Sequence, residues 1–131
     1  MRLILAVAVF AMVLAFARSA ELSPHDRFAK SVAEARANLA TPAGGAYDQA
    51  LSEHMVENST VLQGCFQNTK EPDATPFEMV FTLSMEGKAQ DIAVWPETNI
   101  GICFRDGLKS KTFPVPPRDG YLAYMEMRFA P

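Results

Sequence analysis

The two cysteines carry the clearest chemistry in this sequence. Cys65 and Cys103 are its only cysteines, and they form either one disulfide or two separate buried thiols. An even number of cysteines in an exported protein favours the bridge, and the N-terminal residues predict export. Closing a loop of that length removes about 4 kcal/mol of unfolded-chain entropy, a large share of a small domain's stability. We therefore expect one disulfide between Cys65 and Cys103.

A histidine and a set of methionines are the candidates for metal chemistry. His54 has Glu53 beside it and Glu57 one turn on, a pattern that can bind a metal or act as a base. The chain has only two histidines and no second ligand at a matching spacing, so we interpret His54 as a partly exposed helix residue. Methionine thioethers can bind a cuprous ion, but methionine is also a common core filler. We predict no cofactor and no metal, and assign the strand methionines to packing: Met79, Met85, Met125 and Met127.

No catalytic motif stands out. The sequence contains no Gly-x-Ser-x-Gly element and no glycine loop that would cradle a phosphate. Carboxylates are common, but nothing in the sequence pairs two of them in a cleft. We predict that the protein is not an enzyme, and a small secreted enzyme of unknown type is the weakest alternative.

Residues 1–20 are typical of an export signal. Arg2 supplies the positive start, Leu3 to Ala17 is an unbroken apolar stretch, and small residues follow. We expect cleavage near residues 17–20 and a periplasmic or secreted product. About 15 apolar residues make roughly 22 Å of helix, short of the roughly 30 Å hydrocarbon core of a bilayer. No permanent membrane anchor is therefore expected.

The charge balance argues against a nucleic-acid partner. The first 20 residues hold two of the 12 basic residues and no acid, so the remaining 111 carry 10 basic and 15 acidic residues. Their net charge is about −5, whereas binding to phosphates needs a basic surface. A chain of this length is enough for one domain.

The patterning predicts a small α+β domain. Ser23-Pro24 begins a first helix, which we place with a linker in residues 21–45. Apolar residues from Tyr47 to Cys65 recur at helical spacing and predict a second helix. Alternation indicates strands at 77–86, 89–95 and 121–129, and the apolar run 100–108 fits a helix, although its first part could also be a short strand. The expected order is helix-helix-strand-strand-helix-strand, with a three-stranded antiparallel sheet packed on helices in two layers.

The stretch 77–129, within a domain that we place at 46–131, resembles the C-terminal domain of TonB-family energy transducers. The resemblance rests on the glycine hairpin at 81–88, the strand ending near Trp95, the helix around Cys103 to Leu108, the Phe113-Pro114-Val115-Pro116-Pro117 element and the terminal strand. The positions of the two cysteines are similar to those of the related AgmX/PglI-like domains of gliding-motility proteins, which also implies a disulfide.

The resemblance implies that a partner peptide adds a strand beside the terminal strand, at 121–130. Unpaired backbone groups would give affinity, and alternate side chains would give selectivity. The partner-binding residues expected on this basis are Tyr121, Leu122, Tyr124, Glu126 and Arg128. The sequence has neither the transducer's anchor nor its proline-rich spacer, so we expect an adaptor that binds an envelope or periplasmic protein rather than an energy transducer.

The proline-rich loop 112–120 supports a different hypothesis. Small disulfide-containing domains are common among inhibitors of exogenous hydrolases, and this loop is the obvious segment to enter an active site. A periplasmic inhibitor is therefore the main alternative to an adaptor.

Overall fold

The computed structural model describes residues 21–130, and that part of the chain forms four helices and three strands. In chain order these are α1 (Pro24–Leu39), α2 (Pro42–Glu57), α3 (Thr60–Asn68), β1 (Phe77–Leu83), β2 (Ala89–Trp95), α4 (Asn99–Leu108) and β3 (Tyr121–Met127). The predicted α+β class and the three-stranded antiparallel sheet are confirmed. The proposed signal, residues 1–20, lies outside the described residues.

Three helices begin at hydroxyl caps that the sequence encodes. The side-chain oxygens of Ser23, Thr41 and Thr98 each accept a hydrogen bond from the backbone N–H three residues on. Such caps satisfy donors that would otherwise lack partners in the first turn. The Thr41 cap starts α2 at Pro42, so residues that the sequence analysis assigned to a linker form a helical turn. Proline fits this position because the first helical N–H needs no partner.

The predicted second helix is divided into α2 and α3 at Asn58. The Asn58 side-chain amide donates to the His54 carbonyl oxygen at 2.9 Å, and its backbone N–H also bonds that oxygen. Asparagine competes for backbone groups in this way and favours helix ends over helix interiors. The observed order therefore contains one helix more than the predicted order.

The central strand of the sheet is β1, and the strand order is β2-β1-β3. β1 and β3 pair without interruption over seven residue pairs, from Phe77 with Met127 to Leu83 with Tyr121. The pairing of β1 with β2 shifts between Val80 and Thr82. The extra residue lies on β2, which forms a bulge there.

One face of the sheet builds the main hydrophobic core with α2, α3 and α4. The buried residues of this core are Tyr47, Leu51, Cys65, Phe77, Met79, Phe81, Leu83, Val94, Ile100, Phe104, Leu108, Phe113, Tyr121 and Ala123. The run 100–108, ambiguous in the sequence, is thus the helix α4, and its inner face packs on the sheet.

α1 covers the opposite face of the sheet. Val80 is buried there although it alternates with the core residues of β1, and Ala35 is the buried residue of α1. Arg36 lies 3.5 Å from Glu78 on the same face, and the Phe28 ring lies 6.5 Å from that of Trp95. Helices therefore pack on both faces of the sheet, because α1 adds a layer to the two that were predicted.

The predicted disulfide is present between Cys65 and Cys103. It joins α3 to α4 with the two Cα atoms 5.8 Å apart, a separation that is normal for a bridge. The described residues contain no free cysteine.

Candidate functional site

The hydrogen bonds of the hairpin determine which way the backbone of β1 points. The Ser84 N–H donates to the Lys88 carbonyl oxygen at 3.0 Å, so Ser84 turns its polar groups toward β2. Backbone groups of successive strand residues point to alternate sides. The backbone N–H and C=O groups of the even-numbered residues of β1 therefore point toward β2, and those of the odd-numbered residues point toward β3.

The same alternation fixes the outer edge of β3. The register pairs the odd-numbered residues of β1 with Tyr121, Ala123, Met125 and Met127, so those four bond to β1. Leu122, Tyr124 and Glu126 then turn their N–H and C=O groups outward. The Leu122 carbonyl oxygen accepts from the side-chain amide of Asn38 at 3.0 Å rather than from β1, as expected for an outward group. The hydrogen bonds within residues 21–130 give the outward groups of Tyr124 and Glu126 no partner.

A groove of about 360 Å³ runs along this open edge. Its lining consists of Leu39, Asp48, Leu51, Ser52, Met55, Tyr124, Met125, Glu126 and Met127. Four consecutive strand residues line the groove, and because strand side chains alternate between faces, a groove that touches all four lies at the edge of the strand. One wall is thus the edge of β3 and the other is α2. The volume is within the range of ligand clefts, roughly 300–1,000 Å³.

The predicted partner-binding residues have different surroundings. Tyr121 is only 4% exposed and its ring lies 5.3 Å from that of Tyr47, so its side chain belongs to the core. Leu122 and Tyr124 are half-buried on the α1 face. The Tyr124 hydroxyl donates to Glu78 at 2.9 Å and accepts from Arg36 at 3.0 Å. Burial is the main cause of the raised pKa of Tyr124.

Glu126 and Arg128 are the exposed pair of the predicted set. They lie on the same side of the strand, and the Arg128 guanidinium donates to the Glu126 carboxylate at 2.6 Å and 2.7 Å. The structure therefore brings Leu122, Tyr124 and Glu126 to the outer edge through their backbones. Tyr121 is turned toward β1, and Arg128 follows the end of β3.

The proline-rich loop is fixed at both ends. Phe113 is buried against Phe81, and the Pro114 carbonyl oxygen accepts from the Tyr47 hydroxyl at 2.9 Å. At the other end, the Asp119 carboxylate accepts from the Met85 N–H at 3.0 Å. Val115, between these anchors, is 63% exposed.

The candidate chemical groups are brought together only in part. Met79 pairs with Met125 across β1 and β3, and Met55, Met125 and Met127 line one groove. His54 is half-buried and its ring lies 5.5 Å from Phe113. Met79 is fully buried, whereas Met85 is exposed at the hairpin, at the far end of β1. Within residues 21–130, no three His, Cys, Asp or Glu side chains are grouped so as to hold a metal ion.

The wall formed by α2 was not predicted as part of a site. The sequence predicts Leu51 and Met55 on the apolar face of a helix, and it gives no signal at Asp48, because a single acid on a helix forms no motif. The groove joins segments more than 60 residues apart, and no local pattern encodes that approach.

No family model, curated protein or solved structure matches this chain. The resemblance to the TonB C-terminal domain therefore stays a prediction. None of the helices in residues 21–130 has the length and apolar character needed to cross a membrane.

Proposed function

We propose that this chain is an exported, non-catalytic adaptor that binds an extended segment of an envelope or periplasmic protein as a fourth strand beside β3. The observation that carries the proposal is the open edge, where the outward groups of Tyr124 and Glu126 border a groove. An added strand satisfies such groups with main-chain hydrogen bonds, independently of sequence.

Export is supported by two features. The apolar N-terminal sequence is typical of a signal, and the Cys65–Cys103 disulfide fits an oxidising compartment. The resemblance to TonB domains supports the same mode of binding at the terminal strand.

The test removes a single backbone donor. In Glu126→Pro the outward N–H is lost, whereas the bonds between β3 and β1 are kept, and proline is tolerated at strand edges for this reason. Glu126→Ala is the matched control because it removes the same carboxylate and keeps the N–H. We expect the oxidised protein and Glu126→Ala to capture the same partner from a periplasmic fraction and Glu126→Pro to lose it, with unchanged circular dichroism. Equal capture by Glu126→Pro, or no capture by the unaltered protein, would refute strand addition.

A hydrolase inhibitor is the second candidate function. The observation in its favour is the exposed Val115, held between the anchored Phe113 and Asp119. A segment that is fixed at both ends loses little entropy when it enters an active site. Assays of lysozyme and protease inhibition test this candidate, and Val115→Asp should relieve any inhibition, whereas Glu126→Pro should not.

A further inference from the structure

A second cavity extends the groove past the end of β3. It has a volume of about 230 Å³ and is lined by Met55, Val56, Ser59, Leu62, Phe104 and Met127. Met55 and Met127 also line the first groove. The two cavities are therefore adjacent and have these two side chains in common, and we call the pair the trough: the edge of β3 lies along its first part and an apolar pocket lies at its end.

α2 and β3 run side by side along this trough. Asp48 shares a small cavity with Tyr121 and Tyr124, whereas Met55 meets Met127. Seven residues of helix from Asp48 to Met55 span about 10 Å, and three residues of strand from Tyr124 to Met127 span about 10 Å. The two ends of the trough are thus separated by about the same distance on both walls.

The first end presents an unpaired negative charge. Asp48 is half-buried and has no ion pair or hydrogen bond through its side chain among the described residues. The nearby Glu126 differs because Arg128 neutralises it at 2.6 Å. A carboxylate that is partly removed from water without a partner favours a cation that arrives with the ligand.

The second end is apolar and adaptable. Met55, Leu62 and Met127 are half-buried beside the fully buried Phe104, and Val56 is 74% exposed at the rim. Methionine side chains adjust their shape to different apolar partners. This end therefore fits one large apolar side chain without selecting a single residue type.

From this arrangement we infer that the bound segment carries a lysine or arginine at the Asp48 end and a large apolar residue two or four positions away at the Met55 end. The inference rests on the proposed function, because it takes the segment to be extended beside β3. Residues two or four apart on a strand share a face and lie about 7 or 13 Å apart, which brackets the separation of the two ends.

A library of random heptapeptides, selected on the immobilised oxidised protein, tests the inference. We expect enrichment of peptides that contain Lys or Arg with Leu, Met or Phe two or four positions away, and no enrichment at a spacing of three, which puts the two side chains on opposite faces. Asp48→Lys should bind such a peptide about tenfold more weakly, the size of one lost charge-assisted contact, and should select Asp or Glu in place of the cation. Glu53→Lys is the matched control, because this exposed acid of α2 does not line the trough.

A second variant tests the apolar end, and a modified peptide separates the inference from the proposed function. Met55→Asp should remove the preference for a large apolar residue and keep the preference for a cation. Backbone N-methylation of a selected peptide should abolish binding if the peptide forms a strand. Binding that is sensitive to N-methylation but indifferent to charge and to Met55 would overturn the inference and leave the proposed function standing. Binding that survives N-methylation, or no enrichment at all, would overturn the proposed function itself.

Discussion

The two edges of the sheet differ in how open they are to pairing with another strand. At β2 the register shifts, Asp91 has a φ of 50°, and Gln90 and Asp91 are exposed. At β3 the register runs unbroken over seven pairs, and the outward groups border a groove. Bulges and charged residues prevent edge pairing in many proteins. The β2 edge has both devices. The β3 edge has no bulge; it carries the charged Glu126, its Leu122 carbonyl oxygen is occupied by Asn38, and α2 forms the facing wall.

The largest expected effect comes from removing the disulfide that connects the helices behind both edges. α4 packs beside β2, and α3 contributes Leu62 to the trough beside β3. For the double variant Cys65→Ser/Cys103→Ser we expect the free energy of unfolding to fall by about 4 kcal/mol, because the unfolded chain regains the entropy of its closed loop. Urea denaturation at neutral pH measures the free energy of unfolding. The affinity for a peptide selected on the unaltered protein should fall along with it. A fall below about 1 kcal/mol would show that packing alone holds α3 and α4 together.

The next largest effect is expected at the bulge of β2, which prevents pairing of that edge with another strand. A β-branched residue at a positive φ is strained, so Asp91→Val should lower the free energy of unfolding by about 1–2 kcal/mol. Asp91→Gly, which tolerates this backbone conformation, should be close to neutral. Both variants should still bind peptide at β3. If Asp91→Val is as stable as Asp91→Gly, the bulge has rearranged, and analytical ultracentrifugation should then detect self-association through β2.

A smaller effect is expected at the start of the β3 edge. Asn38→Ala removes the donor that occupies the Leu122 carbonyl oxygen and should cost about 1 kcal/mol. Asn38 also accepts from Arg118 at 2.9 Å, and the Arg118 guanidinium lies 5.3 Å from the centre of the Tyr121 ring. Arg118→Ala serves as the control that breaks these Arg118 contacts and keeps the bond from Asn38 to Leu122. Thermal denaturation should show a lower midpoint for Asn38→Ala than for Arg118→Ala. Equal midpoints would mean that the bond to Leu122 adds no stability to this edge.

The smallest effect concerns the pH dependence of the α2 wall. Burial, with a contribution from Tyr121, raises the pKa of Tyr47 to about 12. The folded state therefore holds this proton more tightly than the unfolded state does. That stabilisation is complete below the ordinary pKa of 10 and is lost as the pH rises toward about 12.

We expect urea midpoints of the unaltered protein to fall across this interval. In Tyr47→Phe the fall should be smaller, although not absent, because the pKa values of Tyr121 and Tyr124 are also raised. An equally steep fall in Tyr47→Phe would assign the pH dependence to other groups. All three tyrosines lie on α2 or β3, and the difference between the two proteins reports on Tyr47.

Local patterns in the sequence were sufficient to predict most of the elements. Alternation located all three strands, since one face of each packs against the core, and cysteine parity predicted the disulfide. The division of the second predicted helix at Asn58 was not predicted, because the apolar spacing continues through that residue. The packing of α1 on the second face was not predicted either, because its one buried residue, Ala35, gives a weak signal.

The candidate site was predicted only in part. The terminal strand was expected at an edge, and the structure places it there. The trough was not expected, because its two walls come from α2 and β3, and their approach depends on how α1 and α2 pass around the edge of the sheet. Neither the burial of the Tyr121 side chain nor the outward backbone of Tyr124 follows from alternation alone, since both require the register of the whole sheet.

The disulfide determines which strands lie within a closed covalent ring. The bond closes a covalent ring that contains β1, β2 and the first part of α4, and β3 follows that ring in the chain. The central strand thus receives its second neighbour from a segment that the ring does not enclose. A chain cut in the loop before Tyr121 would keep this ring intact, and a synthetic copy of the terminal strand would restore the sheet by fragment complementation.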